Sequence, residues 1–239
     1  MQYKNKHLIE VNCAFQFNKE TTQWDSTFFG RFYEKILSRG FTEKEERKGI
    51  QLTFGLQRNV PVITQNNDFE DQVIFKNNNG CAILMGRNKI SFHVTSNYTI
   101  WENFITGFVK PFTEIYKELG LGHGERQCNI VYLNRFKKSK EENLSDYFNL
   151  VSPLAKNLGT EVNTVIQRVI ESKDNLLISK FNAQLQNDNY FNINFECGAI
   201  NKNSLDMNDA DWIKQANNTH QPINHFFESL ITEKLRSEL

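Results

Sequence analysis

Asn134 and Arg135 stand side by side near the end of an apolar, alternating segment, where polar groups are least expected. If residues 130–136 form a strand, alternation places Asn134 on one face and Arg135 on the other. A buried amide or guanidinium needs a hydrogen-bond partner, so the pair predicts either a structural anchor or the polar floor of a pocket. His220 lies beside Pro222 and could satisfy the backbone at a helix kink or line the same pocket. The candidate ligand-binding residues are therefore Asn134, Arg135 and His220.

The sequence carries no signature of a metal site or of an activated nucleophile. The histidines form neither an HxxxH nor an HExxH arrangement, and His220 and His225 would lie about 140° apart on an ideal helix. There is no G-x-S-x-G elbow, and the cysteines fall within apolar strand patterns, where a thiol is inert. These cysteines are Cys13, Cys81, Cys128 and Cys197. We therefore predict no catalytic residue, no metal ligand and no cofactor.

Three other polar clusters have structural explanations. The glycine-rich segment 120–124 follows a predicted helix and precedes a predicted strand, whereas a phosphate loop needs the helix to follow the glycines. Aspartates at 206, 209 and 211 complement the dipole of a predicted helix, with a divalent-metal site as the alternative. The basic residues of segment 135–140 precede two glutamates, which favours a solvated strand end over a nucleic-acid contact.

Composition and charge argue against several classes of protein. Of the 239 residues, 39% are hydrophobic. The 28 basic residues balance 28 acidic ones, so the chain has no net positive charge that would attract nucleic acid or an anionic membrane. No apolar run reaches the ~20 residues of a membrane helix, and the first residues show no apolar signal segment. Without a CxxC pair, the cysteines are expected to be free thiols, which predicts a cytoplasmic protein.

The first half of the sequence predicts a strand, a helix, an antiparallel meander and a second helix. Period-two alternation predicts a strand over residues 8–17, and apolar residues three to four apart predict helices over 22–39 and 98–119. Further strands are predicted over 48–57, 72–77, 81–85 and 89–95. Residues 59–71 read as a long exposed loop, and Pro111 is expected to kink the second helix.

The second half of the sequence predicts a similar order of elements. The predicted elements are a strand over 127–136, a short helix over 144–150, a hairpin of strands over 163–172 and 176–186, a strand over 190–198 and a long helix over 208–236 kinked near Pro222. The two halves, 1–122 and 123–239, share no residue-level repeat and are expected to form one compact unit.

This order predicts an α+β fold with a curved antiparallel sheet and long helices on one face. The alternative within that class is a pair of tandem β-α-β(3-4)-α halves, for which the TATA-binding-protein-like saddle and the helix-grip fold are analogies.

The segment Tyr132-Leu133-Asn134-Arg135-Phe136 resembles a Tyr-Ile-Asn-Arg-Ile-like strand of a family of uncharacterised bacterial proteins, sporadically distributed among genomes. Further matches are the strand Val11 to Phe17, Trp101, Phe104, residues 144–148, His220, residues 226–228, Ile231, Thr232, Leu235 and Arg236. The resemblance implies no catalytic residues, and the family's scattered occurrence implies a mobile or defence-associated gene. Pro222 departs from it, because relatives usually continue an unbroken helix there.

Three functions remain open at this point. The first is a non-enzymatic binding or regulatory protein that acts through a partner protein, encoded by a neighbouring gene and serving phage defence. The second is a small-ligand or nucleotide-binding domain with a pocket on the concave sheet face, with weak hydrolysis as a further option. The third, saddle-like nucleic-acid binding, is disfavoured by the balanced charge. A homodimer is compatible with the aromatic-rich helices, and no membrane association is expected.

Overall fold

The protein is described here from a computed structural model, and the described residues are 7–17, 24–48, 51–57, 60–66, 71–95, 98–122, 126–151, 163–202 and 212–239. The strands are β1 Leu8–Phe17, β2 Phe41–Lys48, β3 Gln51–Gln57, β4 Val60–Asn66, β5 Asp71–Asn77, β6 Cys81–Met85, β7 Lys89–Val94, β8 Arg126–Ser139, β9 Asn163–Glu171, β10 Asn175–Leu185 and β11 Tyr190–Asn201. The helices are α1 Thr27–Leu37, α2 Trp101–Phe104, α3 Lys110–Glu118, α4 Trp212–Leu230 and α5 Glu233–Glu238. A π-helical segment, Ile105–Val109, joins α2 to α3, and a 3₁₀ turn covers Leu144–Asp146.

Nine strands form one antiparallel sheet in the order β2-β5-β6-β7-β1-β8-β11-β10-β9, and β3 pairs separately with β4. The first strands of the two predicted halves, β1 and β8, pair with each other at the centre of this sheet. The sheet is therefore continuous from the first half to the second. The α+β class and the antiparallel sheet are confirmed, whereas the expectation that the two halves form one compact unit stays a prediction.

The core lies between one face of the sheet and the helices. Alternation along β1 turns Val11, Cys13 and Phe15 toward that face, and all three side chains are fully buried. Helices α1, α3 and α4 contribute their apolar stripes to the same cluster, as with Phe32 and Trp212. Among the described residues no helix packs on the opposite face of the sheet, which carries polar side chains such as Glu10 and apolar ones that range from buried Ile74 to exposed Val165.

Several predicted boundaries are corrected by the structure. The expected loop over 59–71 is wrong, because Val60–Asn66 is a strand, β4, paired with β3. Strand β2, Phe41–Lys48, was not predicted, because its run of charged residues lacks the apolar alternation that marks a strand. The helix expected over 22–39 is shorter, and Gly40 follows it with φ +88°, as expected of a helix stop.

The helical predictions near the end of the chain also change. The short helix expected over 144–150 is a single 3₁₀ turn, after which Phe148 forms an isolated bridge to Ile231. The long helix expected over 208–236 breaks after Leu230, and Pro222, near which a kink was expected, lies inside α4. Thr232 caps α5 by accepting a hydrogen bond from the Leu235 backbone amide. The aspartates at 206, 209 and 211 lie outside the described residues.

None of the helices in the described ranges is long and apolar enough to cross a membrane.

Candidate functional site

A cavity of about 390 Å³ lies between strand β8, the start of helix α2 and helix α4. Strand β8 contributes Tyr132 and Asn134 to its wall, the start of α2 contributes Trp101, and α4 contributes His220 and Phe227. Its volume falls within the range of roughly 300–1,000 Å³ that is usual for small-ligand pockets. Aromatic walls with a few polar groups are also the usual lining of such pockets.

The indole of Trp101 and the imidazole of His220 stack at one wall of this cavity. Their ring centroids are 4.0 Å apart and their planes differ by 2°. The Trp101 Nε1–H donates to Asn217 Oδ1 on α4 at 2.7 Å, which fixes the indole against the helix that carries His220. Helix α2 thus docks on α4 through both a ring stack and a hydrogen bond.

The ring of His220 is neutral at physiological pH. Burial of the ring, which disfavours the charged imidazolium, lowers the pKa of His220 to about 4. A neutral imidazole offers one donor and one acceptor. Neither ring nitrogen is hydrogen-bonded to another described residue, so both are available to a molecule in the cavity.

Asn134 presents a second polar group with unmet hydrogen bonds. Its side chain is only 9% exposed, and no described residue hydrogen-bonds its amide. Its amide atoms are not among the side-chain atoms that are buried without a partner, so they face the open space of the cavity, where a ligand with a matching donor and acceptor could bond them. Asn134 therefore has the properties of a recognition group rather than those of a structural anchor.

A pair of tyrosine hydroxyls adds a further polar group to the aromatic walls. The hydroxyls of Tyr98 and Tyr132 share a hydrogen bond at 3.1 Å. Burial raises the pKa of Tyr98 and of Tyr132, so both phenols keep their protons at neutral pH. The pair is uncharged and can still accept a further hydrogen bond.

The charged side chains around the cavity bear on the charge of its ligand. No lysine or arginine is among the described residues that line it. The lining carboxylate of Glu228 accepts a hydrogen bond from Arg236 Nε at 2.7 Å, which neutralises its charge. Phosphate recognition usually relies on arginine, lysine or helix amino ends. The lining thus favours an uncharged ligand.

No protein-family model, curated protein or solved structure matches this chain. Function is therefore inferred from the geometry of the cavity and from the chemistry of its side chains.

The structure brings two of the three predicted site residues together. Asn134 and His220 line the same cavity, whereas Arg135 lies on the opposite face of the sheet. The side chain of Arg135 is exposed, and its Nε donates to Asn194 Oδ1 at 3.2 Å. Strand alternation makes convergence of Asn134 and Arg135 impossible. A ligand-binding role for each of the three residues stays a prediction.

Sequence reasoning missed the aromatic part of the site. Trp101 lies in the segment 98–119, whose apolar spacing predicts a helix, and nothing in that pattern separates a core residue from a cavity wall. His7 also lines the cavity, and its ring stacks on Phe136 with centroids 4.7 Å apart. The Arg135 backbone N–H donates to the His7 carbonyl at 2.7 Å and holds His7 in place. This contact depends on strand pairing, which no sequence pattern reveals.

A serine, a histidine and a glutamate form a relay on the helix-free face of the sheet. Ser91 Oγ lies 2.9 Å from His93 Nε2, and His93 Nδ1 lies 2.7 Å from Glu10 Oε1. This is the bonding order of a nucleophilic triad. Ser91 is only 2% exposed, however, so its hydroxyl is covered and a substrate carbonyl does not reach it. We assign the relay a structural role in joining β1 to β7.

The basic residues of segment 135–140 are engaged within the protein. Lys137 pairs with Asp188 at 2.7 Å, Lys138 pairs with Glu238, and Lys140 donates to Asn189 at 3.1 Å. Each contact occupies a lysine ammonium group, which leaves it fewer hydrogen bonds and less charge for a phosphate backbone.

The cysteine thiols and the metal-ligand residues give no reactive centre within the described ranges. Cys13, Cys128 and Cys197 are buried, and burial raises the pKa of Cys197 to about 12. No group of three histidine, cysteine or carboxylate side chains in the described ranges could hold a metal ion.

Proposed function

We propose that the protein is a binding module for an uncharged, planar, heteroaromatic small molecule of nucleobase or nucleoside size. The observation that carries the proposal is the pairing, in one aromatic-walled cavity, of two neutral polar groups with open hydrogen bonds, Asn134 and His220. An amide and a neutral imidazole each present a donor and an acceptor, which match the edge of a heterocycle such as a purine. Aromatic side chains bind the faces of such rings by stacking.

The absence of lysine and arginine from the described lining supports an uncharged ligand over a nucleotide. A phosphate in this cavity would meet no lysine or arginine among the described lining residues, so its desolvation would be poorly compensated. The proposal therefore predicts a preference for bases and nucleosides over their phosphorylated forms.

We further propose that ligand binding serves a regulatory rather than a catalytic role, exerted through a partner protein. The support is the family resemblance, which implies no catalytic residues and a phage-defence setting. Affinity purification of the tagged protein from its native host tests this part, and a protein that retains no partner with or without ligand would contradict it.

The finer fold assignment is also a proposal. The two central strands β1 and β8 each begin one half of the sheet, which supports tandem halves of the TATA-binding-protein-like or helix-grip type. Superposition of residues 8–94 on residues 126–201 tests it, because tandem halves require equivalent strand order and connectivity.

Thermal unfolding in the presence of nucleobases, nucleosides and nucleotides tests the ligand proposal. A ligand that binds only the native state raises the midpoint of unfolding in proportion to its occupancy. We expect a nucleobase or nucleoside to raise the midpoint, and we expect Asn134→Leu to abolish that rise. Asn192→Leu is the matched control, since Asn192 is an exposed strand residue on the helix-free face. Stabilisation by nucleotides alone, or equal loss in both variants, would contradict the proposal.

A further inference from the structure

The edge strand β9 exposes apolar side chains along its whole length. Val165, Val169 and Ile170 are 69%, 53% and 46% exposed, the largest apolar exposures among the strand residues whose side chains the structure describes. Strand β9 pairs with β10 on one side, and no described strand pairs with its other side. Its backbone N–H and C=O groups on that side are a template for a further strand.

The other edge of the same sheet is protected against such pairing. Strand β2 forms this edge, and four of its five exposed residues at positions 42–46 are charged. Charged side chains on an edge strand are a common defence against edge-to-edge association. Strand β9 has only two charged residues, Arg168 and Glu171, among nine, so this defence is weaker at its edge.

The geometry of a two-fold axis restricts how β9 could pair with a second copy of itself. In an antiparallel pair, opposed residues lie on the same face, so the two residue numbers of each pair must both be odd or both be even. The register centred on Gln167 meets this condition and overlaps all nine residues of Asn163–Glu171.

This central register is also chemically self-complementary. It places Val165 of each subunit opposite Val169 of the partner subunit, so the same valine pair occurs twice on the helix-free face. It places Glu171 opposite Asn163 of the partner subunit, and Arg168 opposite Ile166 of the partner subunit, so no like charges meet. A register centred on Arg168 would instead bring two guanidinium groups face to face.

We propose that two copies of this chain associate through antiparallel pairing of β9 with β9 about a two-fold axis at Gln167, which joins their two nine-stranded sheets into one. The occupant of the edge is a second copy rather than another protein, because the fully overlapping register of β9 on itself buries its most exposed apolar side chains against each other. Isologous contacts of this kind close on themselves and do not extend into fibres.

Charge placement at positions 165 and 169 tests both the dimer and its register by light scattering after size exclusion. We expect the wild-type chain to be a dimer and Val165→Lys/Val169→Lys to be a monomer, because the register sets lysine opposite lysine in both symmetric pairs. We expect Val165→Lys/Val169→Glu to restore the dimer, since lysine then faces glutamate in both pairs.

The matched control is Leu37→Lys, which places the same charge at a residue of similar exposure, 46%, on helix α1. It should remain a dimer, and circular dichroism should show all four proteins folded. A monomeric wild-type chain would overturn the proposal, as would a double-lysine variant that stays dimeric or a lysine–glutamate variant that stays monomeric.

Discussion

The ring of Trp101 lies parallel to the ring of His220, with centroids 4.0 Å apart and planes within 2° of each other. The contact joins the first turn of α2 to the middle of α4 at the wall of the cavity. It both closes that wall and removes His220 from solvent, which keeps the imidazole neutral. Stability and pH response therefore depend on the same pair of side chains, and under the proposed function so does ligand recognition.

The free energy of unfolding should fall as the pH is lowered from about 6.5 toward 4, in part because of His220. Its pKa of about 4 in the native protein lies below the unfolded value of about 6.5, so the unfolded state takes up a proton first. A difference of this size corresponds to about 3 kcal/mol. Urea unfolding at several pH values should show a free energy of unfolding that depends less steeply on pH for His220→Phe than for the wild-type protein. Equal pH dependences in the two proteins would contradict the assignment.

Stacking of Trp101 on His220 should appear as a coupling between the two positions. Trp101→Leu removes the stack and the hydrogen bond to Asn217, and we expect it to lower the free energy of unfolding by about 2 kcal/mol. In a double-mutant cycle with His220→Leu, the coupling energy should be about 1 kcal/mol. Additive effects would show that the two rings do not interact in solution.

Gly198 should tolerate no side chain. A Cβ at this position would lie 2.3 Å from the Ile130 carbonyl oxygen on the paired strand β8, so the central sheet would have to shift. We expect Gly198→Ala to lower the free energy of unfolding by roughly 2 kcal/mol or more. Gly30→Ala is the control, since nothing lies within 4 Å of its Cβ and alanine favours helix α1, so that variant should be more stable by about 0.5–1 kcal/mol. A neutral Gly198→Ala would contradict the packing of β8 against β11.

The Glu10–His93–Ser91 relay should contribute to stability and not to catalysis. The hydrogen bond from His93 is the main cause that lowers the pKa of Glu10, so its contribution is present above the unfolded pKa of about 4.3 and is lost as the pH falls through the lower native value. Glu10→Gln should cost about 1 kcal/mol at neutral pH. A fluorophosphonate probe should leave Ser91 unlabelled, and labelling that depends on His93 would assign the relay to hydrolysis instead.

The sequence predicted the elements whose apolar period is intact. The alternation in residues 8–17 matches β1, and the hairpin predicted around the turn at residues 173–175 matches β9 and β10 closely. Strand β2 carries few apolar residues, and β4 contains Pro61, so neither displays the period that identifies a strand. Strand order across the sheet is set by long-range pairing, which local patterns do not encode.

The site was predicted where a polar residue interrupts an apolar pattern. Asn134 stood out in an apolar strand and His220 beside a proline, and both line the cavity. Trp101 did not stand out, because an aromatic residue on a helical stripe has the same pattern whether it faces the core or a cavity. The side on which Arg135 lies follows from alternation, but its partner Asn194 comes from β11 and was not predictable.

Isothermal titration of a nucleoside that raises the thermal midpoint tests the central claim most directly, with wild-type, Asn134→Leu and Asn192→Leu proteins compared at neutral pH. We expect one site per chain, unchanged affinity for Asn192→Leu, and an affinity at least roughly tenfold lower for Asn134→Leu, which follows from the loss of about 1.4 kcal/mol or more of hydrogen bonding. Equal affinities for the three proteins, or tighter binding of the phosphorylated form, would show that the cavity around Asn134 and His220 does not recognise an uncharged heterocycle.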